Sequence, residues 1–224
     1  MAATDIVLLA KDDWWCRNAA ELARIAFGER LIVHQGSAED PLPVMPACRH
    51  LTLLSFRSPW VVPESILEQC ELAINFHPGS HEYPGYGCYS FALYEEAREY
   101  GCVCHHMAEI VDTGALIAEQ RFKMAGYETV EMLKLRTYTV MLSLFQDITF
   151  RIARSEALPR LEVNWSRRPF THRQHQQLST ITPDMSAKEV KRRVHATTYP
   201  GEGAILTMGG IVFRAAVPTR PPLA

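Results

Sequence analysis

The 224-residue chain, 47% hydrophobic and 21% charged, can bury one α/β core with an appendage and is too apolar to be disordered. A formal net charge of −2 excludes a general field for nucleic acid or an anionic membrane, so an anionic ligand must be held locally. No apolar run approaches the ~20 residues that span a bilayer, and the first ten residues lack the basic start and apolar core of a signal peptide, so a cytoplasmic protein is expected.

Residues 5–10 (DIVLLA) are a continuous apolar run of the kind that becomes a buried parallel strand. Apolar spacing from Trp14 to Phe27 gives the helix after it, with Asp12 as N-cap. Residues 31–34 read as a second strand, 35–46 as a loop rich in Gly, Ser, Pro and acids, and 51–56 as a third strand. Pro63 opens a short helix to about residue 69 as its first helical residue. Residues 72–76 form the next strand and run directly into His77-Pro78-Gly79. Such a transition places side chains at the carboxyl edge of an open α/β sheet, where ligands bind.

A helix over 88–99, a strand over 102–107, a turn at Asp112-Thr113-Gly114 and a strand over 115–122 follow, and the alternation predicts a mostly parallel sheet. The six cysteines (Cys16, Cys48, Cys70, Cys88, Cys102, Cys104) lie in apolar contexts and read as buried thiols. Cys102-Val103-Cys104-His105-His106 invites a zinc reading, but it reads as a strand and lacks a second ligand pair at finger-like spacing, so no metal is expected. Residues 129–149 carry apolar side chains at helical spacing and give one long helix. Composition then shifts, dividing the chain into a body over 1–157 and an extension over 158–224. The extension begins with a basic, Pro- and Trp-containing stretch over 158–170. A helix over 186–197 follows, capped by Ser186 with Glu189 three positions on, and Gly209-Gly210 marks a hairpin turn.

The segment AINFHPGSHEYPGYG, followed by CHHMAEIVDTGALIAEQRF, holds Asn-x-His-Pro (Asn75, His77, Pro78) and then Asp-x-Gly (Asp112, Gly114). Each piece alone is a common strand end or turn. In this order and between these strands they resemble the formyltransferases that use 10-formyltetrahydrofolate. One departure is visible: relatives continue after His-Pro with Ser and a Leu-Pro-x-x-x-Gly loop, whereas this chain reads Gly79-Ser80-His81-Glu82-Tyr83-Pro84-Gly85-Tyr86-Gly87. The resemblance implies a Rossmann-like, mostly parallel open sheet in the body and a short helix-plus-hairpin extension.

The implied chemistry explains those residue types. A neutral amine attacking a formyl carbon leaves negative charge on the formyl oxygen and positive charge on the nitrogen. Asn75 and His77 are suited to the oxyanion, at ~2.7–4 kcal/mol per well-placed donor. Asp112 is expected to orient His77 and to take the amine's proton as general base, a contribution of ~10²–10⁴ in rate. The resemblance also implies N10-formyltetrahydrofolate as cosubstrate, its pterin lying along 55–62 against Ser55, Trp60, Val61, Val62, Ile66 and Gly114. His105 is expected to pack.

Within that family, 158–224 is too short for the barrel of methionyl-tRNA formyltransferases, and Lys11-Asp12-Asp13-Trp14 lacks the glycine-rich phosphate turn of glycinamide ribonucleotide transformylases. The remaining likeness is to sugar N-formyltransferases, which implies a nucleotide-linked aminosugar as acceptor and a homodimer. Tyr83, Tyr86, Tyr89, Trp165, Arg167, Arg168 and Tyr199 are then candidates for base stacking and diphosphate contacts. Three alternatives stay open: another small amine such as a hydroxyornithine-type metabolite, a hydrolase that sends the formyl group to water, and a non-catalytic protein on the same fold.

Overall fold

A computed structural model describes residues 5–46 and 50–216; Cys48 and the end of the extension from 217 onward lie outside the described residues. Strand β1 (Asp5–Lys11) leads into helix α1 (Trp14–Phe27), then β2 (Leu31–Gly36) and β3 (Leu51–Phe56). A single turn, α2 (Glu64–Leu67), precedes β4 (Cys70–His77). Helix α3 (Cys88–Tyr94), strands β5 (Glu99–His106) and β6 (Leu116–Lys123) and the long α4 (Val130–Ala153) complete the body. The sheet order is β2-β1-β3-β4-β5-β6. β2, β1, β3 and β4 pair in parallel, and β5 runs antiparallel to both neighbours. Because β2 lies on one side of β1 and β3 on the other, the order reverses at β1, and the crevice outside the carboxyl ends of β1 and β3 is a topological switch point.

Alternation along β1 explains its unbroken apolar run. Ile6, Leu8 and Ala10 face α1 and α4, while Val7 and Leu9 face a second apolar layer with Leu51, Leu53 and Val62. Helix α1 buries Cys16, Ala19, Ala20, Ala23 and Phe27, one stripe at helical spacing whose alanines let the helix sit close on the sheet. Phe145 of α4 packs on Phe56 at 5.1 Å and Phe76 at 4.9 Å between ring centroids. Truncating such a side chain to Ala costs about 3–5 kcal/mol. This layer is a stiff support for the strand ends that carry the site.

Several local expectations change. The N-cap of α1 is Asp13, which accepts from the Cys16 amide at 3.0 Å, while Asp12 pairs with Arg17 on the surface. Pro63 is the N-cap of α2 rather than its first residue. Helix α3 stops at Tyr94 instead of running to 99, because Glu96 turns left-handed (φ 56°) and Glu99 and Tyr100 join β5 opposite Lys123 and Phe122. Ladder pairing and the complete burial of Tyr100 outweigh the helical propensity of the Glu-Glu-Ala-Arg run.

After α4, an irregular strap over 154–171 crosses the body. Helix α5 (His172–Ser179) and strand β7 (Thr180–Ile181), neither expected from sequence, precede α6 (Ala187–Thr197), whose cap is Ser186 as expected. Strands β8 (Ile205–Met208) and β9 (Ile211–Arg214) make the expected hairpin, with Gly209 at φ 57° and Gly210 at φ 76° supplying the turn. Cys16, Cys88, Cys102 and Cys104 are buried and Cys70 is half-buried. Among the described residues no helix is long and apolar enough to cross a membrane.

Candidate active site

The ends of β4 and β5 and the turn before β6 bring four polar side chains together. Asn75 pairs in register with His105 across the antiparallel β4/β5 ladder, which puts both on the same face. Asp112 reaches them from a turn in which it holds a left-handed conformation (φ 52°), tolerated by Asp better than by most residues. Gly114 permits that turn, since a Cβ there would collide with the carbonyl oxygen of His106. Non-glycine residues in this region cost about 1–3 kcal/mol and gather at functional sites.

His77 is 5% exposed and Asp112 8%. His77 Nδ1 lies 3.1 Å from Asp112 Oδ2, and His77 Nε2 donates to the Tyr83 carbonyl at 2.9 Å. Asp112 Oδ2 also accepts from the Gly85 amide at 2.9 Å. Its Oδ1 lies 3.2 Å from His105 Nε2 and accepts from Asn75 Nδ2 at 3.4 Å. Asn75 Nδ2 stands 3.1 Å from His105 Nε2, and His105 Nδ1 donates to the His106 carbonyl at 2.8 Å. Both ring nitrogens of His77 therefore face acceptors, which fits an imidazolium beside a carboxylate. Burial by itself lowers the His77 pKa, yet the charge of Asp112, the bond to it and the Tyr83 carbonyl carry it above its ordinary value of 6.5. Burial raises the Asp112 pKa, and the charge of His77 with hydrogen bonds from His105 and His77 outweighs it, so this carboxyl stays well below its ordinary range.

Two cavities meet at this centre. The first, of about 240 Å³, is walled by Ser55, Trp60, Val61, Val62, Met107 and Val111, with Asn75, His77, His105 and Asp112 at its inner end. Ser55, Trp60, Val61 and Val62, four of the residues expected along the pterin, line this cavity. Ile66 does not line the cavity and packs behind it on the Val62 layer. Gly114 is likewise outside the lining, its carbonyl taken by the Trp165 indole.

The second cavity, of about 300 Å³, lies across His77 and Pro78 and shares Arg57 and Ser58 with the first. Lys11, Arg57 and Lys134 enter it together with Tyr86, Tyr89, Tyr138, His175 and Tyr199. Lys11 and Arg57 end β1 and follow β3, so the switch point delivers two cations. Arg57 is itself left-handed (φ 52°), donates to Asp13 Oδ2 at 2.7 Å and stacks 4.0 Å over Tyr138. Lys134 Nζ sits 3.6 Å over the Tyr199 ring. Burial lowers its pKa; Cys88 opposes this, while Arg57 and Lys11 add to the lowering. Three cationic side chains lining one cleft, with Lys134 destabilised as a cation by burial and by its neighbours, favour an anionic occupant.

Tyr86, Tyr89 and Tyr199 are in this arm, and four other residues expected beside them, Tyr83, Trp165, Arg167 and the exposed Arg168, are not. The Tyr83 ring is buried against Tyr100, leaving its carbonyl to face His77. Arg167 makes a two-pronged pair with Glu95 at 2.7 and 3.1 Å. Trp165 donates to the Gly114 carbonyl and makes T-shaped ring contacts with His77 and His105. Sequence reading missed Lys11, Arg57, Lys134, Tyr138 and His175 as cleft residues and His105 as a member of the polar cluster. A basic residue just past each apolar strand was the legible sign for Lys11 and Arg57. Nothing in the helical pattern marked Lys134.

The Cys102–His106 run is split by strand alternation. Cys102 and Cys104 enter the α1/α4 core, and His105 faces the site. Among the described residues, His81, Glu82 and Glu119 could together approach a metal ion. The Arg121 guanidinium already lies among them, at 2.9 Å from Glu82 and 3.2 Å from Glu119.

No family model matches the sequence. In solved structures the chain is similar to a sugar N-formyltransferase from a Shewanella species, with a TM-score of 0.77, 14% identity and coverage of 95% of this chain and 97% of that one. It is similar to a 4-N formyltransferase from Francisella tularensis, with a TM-score of 0.77, 16% identity and coverage of 96% and 98%. It is also similar to an N-formyltransferase from Helicobacter canadensis in complex with folinic acid and dTDP-3-aminofucose, with a TM-score of 0.68, 14% identity and coverage of 86% and 80%. At such identities the likeness establishes the fold.

Proposed function

We propose that this protein transfers a formyl group from N10-formyltetrahydrofolate to the primary amine of a nucleotide-linked aminosugar. The observation that carries the reading is the His77–Asp112 pair at the junction of an apolar-walled arm and a cation-lined arm. Two substrates of opposite character can meet across one polar centre there. Folate would supply the formyl carbon, with Trp60, Val61, Val62 and Ser55 holding its pterin. The neighbouring fold from Helicobacter canadensis, which carries folinic acid and dTDP-3-aminofucose, supports this pairing of ligands.

The residues divide the work by charge. His77, held as a cation, sets positive potential at the inner end of the folate arm. Asn75 binds Asp112 through the longest contact of the cluster, 3.4 Å. It is therefore the donor most readily lent to a ligand oxygen, and such preorganised donors contribute ~2.7–4 kcal/mol each. Asp112 accepts or faces four polar hydrogens' worth of partners and has a low proton affinity. Its better-supported role is to hold His77 charged, ahead of the general-base role expected from sequence, and the proton shed by the amine ends on N10 of tetrahydrofolate as the bond from N10 to the formyl carbon breaks. Lys11, Arg57 and Lys134 would take the diphosphate, with Tyr86 and Tyr199 beside the nucleoside. The same cations disfavour an ammonium, so the amine would enter neutral and nucleophilic.

The deciding experiment incubates the protein with N10-formyltetrahydrofolate and a panel of nucleotide-linked 3-amino and 4-amino sugars, with hydroxyornithine and methionyl-tRNA as comparison acceptors. Gain of one formyl mass on one sugar supports the reading. Turnover only on another amine, or formate release without any amine, refutes the sugar assignment. The protein is also expected to be a homodimer, and the exposed Met208, Ile211, Val212 and Phe213 of the hairpin offer the apolar surface for it.

A further inference from the structure

We propose that the strap over 161–170 is a clamp on the reacting centre, with Trp165 and Phe170 as positioning residues that hold the loop of Tyr83 and Gly85 and the turn of Asp112 at the distance the His77–Asp112 pair requires. The inference rests on the formyl-transfer reading for its effect on rate, and on geometry alone for its effect on His77. Apart from the ion pairs of Glu162 and Arg167, the strap's backbone amides and the Trp165 indole make their hydrogen bonds on or beside those two pieces of backbone. Trp165 Nε1 donates to the Gly114 carbonyl at 2.8 Å, two residues beyond Asp112. Phe170 brackets Gly85 as a parallel bridge, its amide donating to Pro84 at 2.9 Å and its carbonyl accepting from Tyr86 at 2.8 Å. The Ser166 amide donates to His81 at 3.1 Å, and the Leu161 amide to Leu116 at 3.1 Å.

The bracketed residues are the ones that complete the centre. The Gly85 amide lies on Asp112 Oδ2, and the Tyr83 carbonyl lies on His77 Nε2. Gly85 is required for the close approach, because a Cβ there would collide with the Phe170 backbone. The Phe170 ring is anchored in turn, stacked on Phe91 with 3.6 Å between centroids and 5° between planes. Trp165 meets both imidazoles in T-shaped contacts, 5.9 Å from His77 and 5.1 Å from His105, and so walls one side of the cluster. The titratable groups around His77 are Asp112 from the turn, His105 from β5 and, across the cleft, Lys11 from β1, Arg57 after β3 and Lys134 from α4. Behind it, the Cys88 thiol from α3 and the Tyr100 hydroxyl from β5 rest on the Pro78 carbonyl. Of these, Asp112 is the one whose backbone turn Trp165 holds.

Trp165→Phe keeps an aromatic wall and removes the donor to Gly114. Formyl-transfer kinetics and the ¹⁵N imidazole titration of His77 are measured across pH in the full chain. Loosening the turn should lower kcat by about ten- to a hundredfold, as misplaced reacting groups do, with the KM of both substrates within about threefold. The His77 titration and the alkaline limb of kcat should both move to lower pH, since burial then acts on an imidazole less well paired. Phe170→Leu, which removes the stacking and leaves the backbone bridge, should give the same changes in smaller degree. A Trp165→Phe protein with lowered Tm but unmoved titration and pH profile would overturn the proposal. If the wild type transfers no formyl group while the His77 titration still shifts in Trp165→Phe, the clamp stands and the functional reading falls.

Discussion

Replacing Asp112 with Asn tests whether charge or mere hydrogen bonding makes the centre work. The substitution is nearly isosteric, Asn also tolerates the left-handed backbone of this turn (φ 52°), and its carbonyl can still accept from the Gly85 amide. What it removes is the attraction across 3.1 Å to His77, ~5 kcal/mol at an effective dielectric of ~20, part of which offsets the burial of the two groups. Without it, burial is the leading influence left on His77, and the ring should be neutral at pH 7. Loss of the positive potential of His77 at the reacting carbonyl is expected to cost as much as loss of one oxyanion donor, about 10²–10³ in kcat. Together with the lost orientation of His77, a fall of roughly 10³ or more is expected. The KM for folate should stay within a few-fold, because the walls of the first arm are untouched. The assay is steady-state transfer to the panel acceptor, read by folate product absorbance, alongside the His77 titration by ¹⁵N NMR. An Asp112→Asn enzyme within about tenfold of wild type at pH 7, with His77 still charged, would refute this account.

Lys134→Met should raise the KM for a diphosphate-bearing acceptor by about tenfold or more and flatten its salt dependence, with the folate KM little changed, whereas Arg57→Gln, on the wall both arms share, should raise both; equal loss for both substrates in Lys134→Met would contradict the two-arm division. Gly114→Ala forces a Cβ into the His106 carbonyl, and a cost of about 2–3 kcal/mol should lower Tm by roughly 5–10 °C by calorimetry. For pH, His77 is raised above its ordinary 6.5, so its contribution to stability is complete below that value and is lost as pH rises through its folded pKa. Asp112 is depressed, so its contribution is present above 3.8 and lost as pH falls through its folded pKa. Denaturant titrations should show an alkaline decline beginning above pH 6.5 that is absent in His77→Gln. Phe213→Lys should convert the expected homodimer to monomers by light scattering, and a wild-type monomer would remove the hairpin from the assembly.

Adjacent residues determined much of this protein before any folding was considered. The unbroken run at residues 5–10, the helical stripe from Trp14 to Phe27, the Ser186 cap and the Gly209-Gly210 turn are local facts of period, capping and backbone freedom, and the elements formed where those patterns stood. Asn75, His77 and Asp112 were legible because residue types in a set order survive reading along one dimension. Tertiary structure decided what depends on contacts between distant segments. It stopped α3 at Tyr94 because a sheet needed Glu99 and Tyr100, and it set Lys11, Arg57 and Lys134 around one cleft from three separate elements. It also moved Trp165 and Arg167 out of the expected stacking positions by giving them partners at Gly114 and Glu95. Propensity and period are properties of a short window. Which cations share a cavity, and which carbonyl an indole meets, are set only when the whole chain closes on itself.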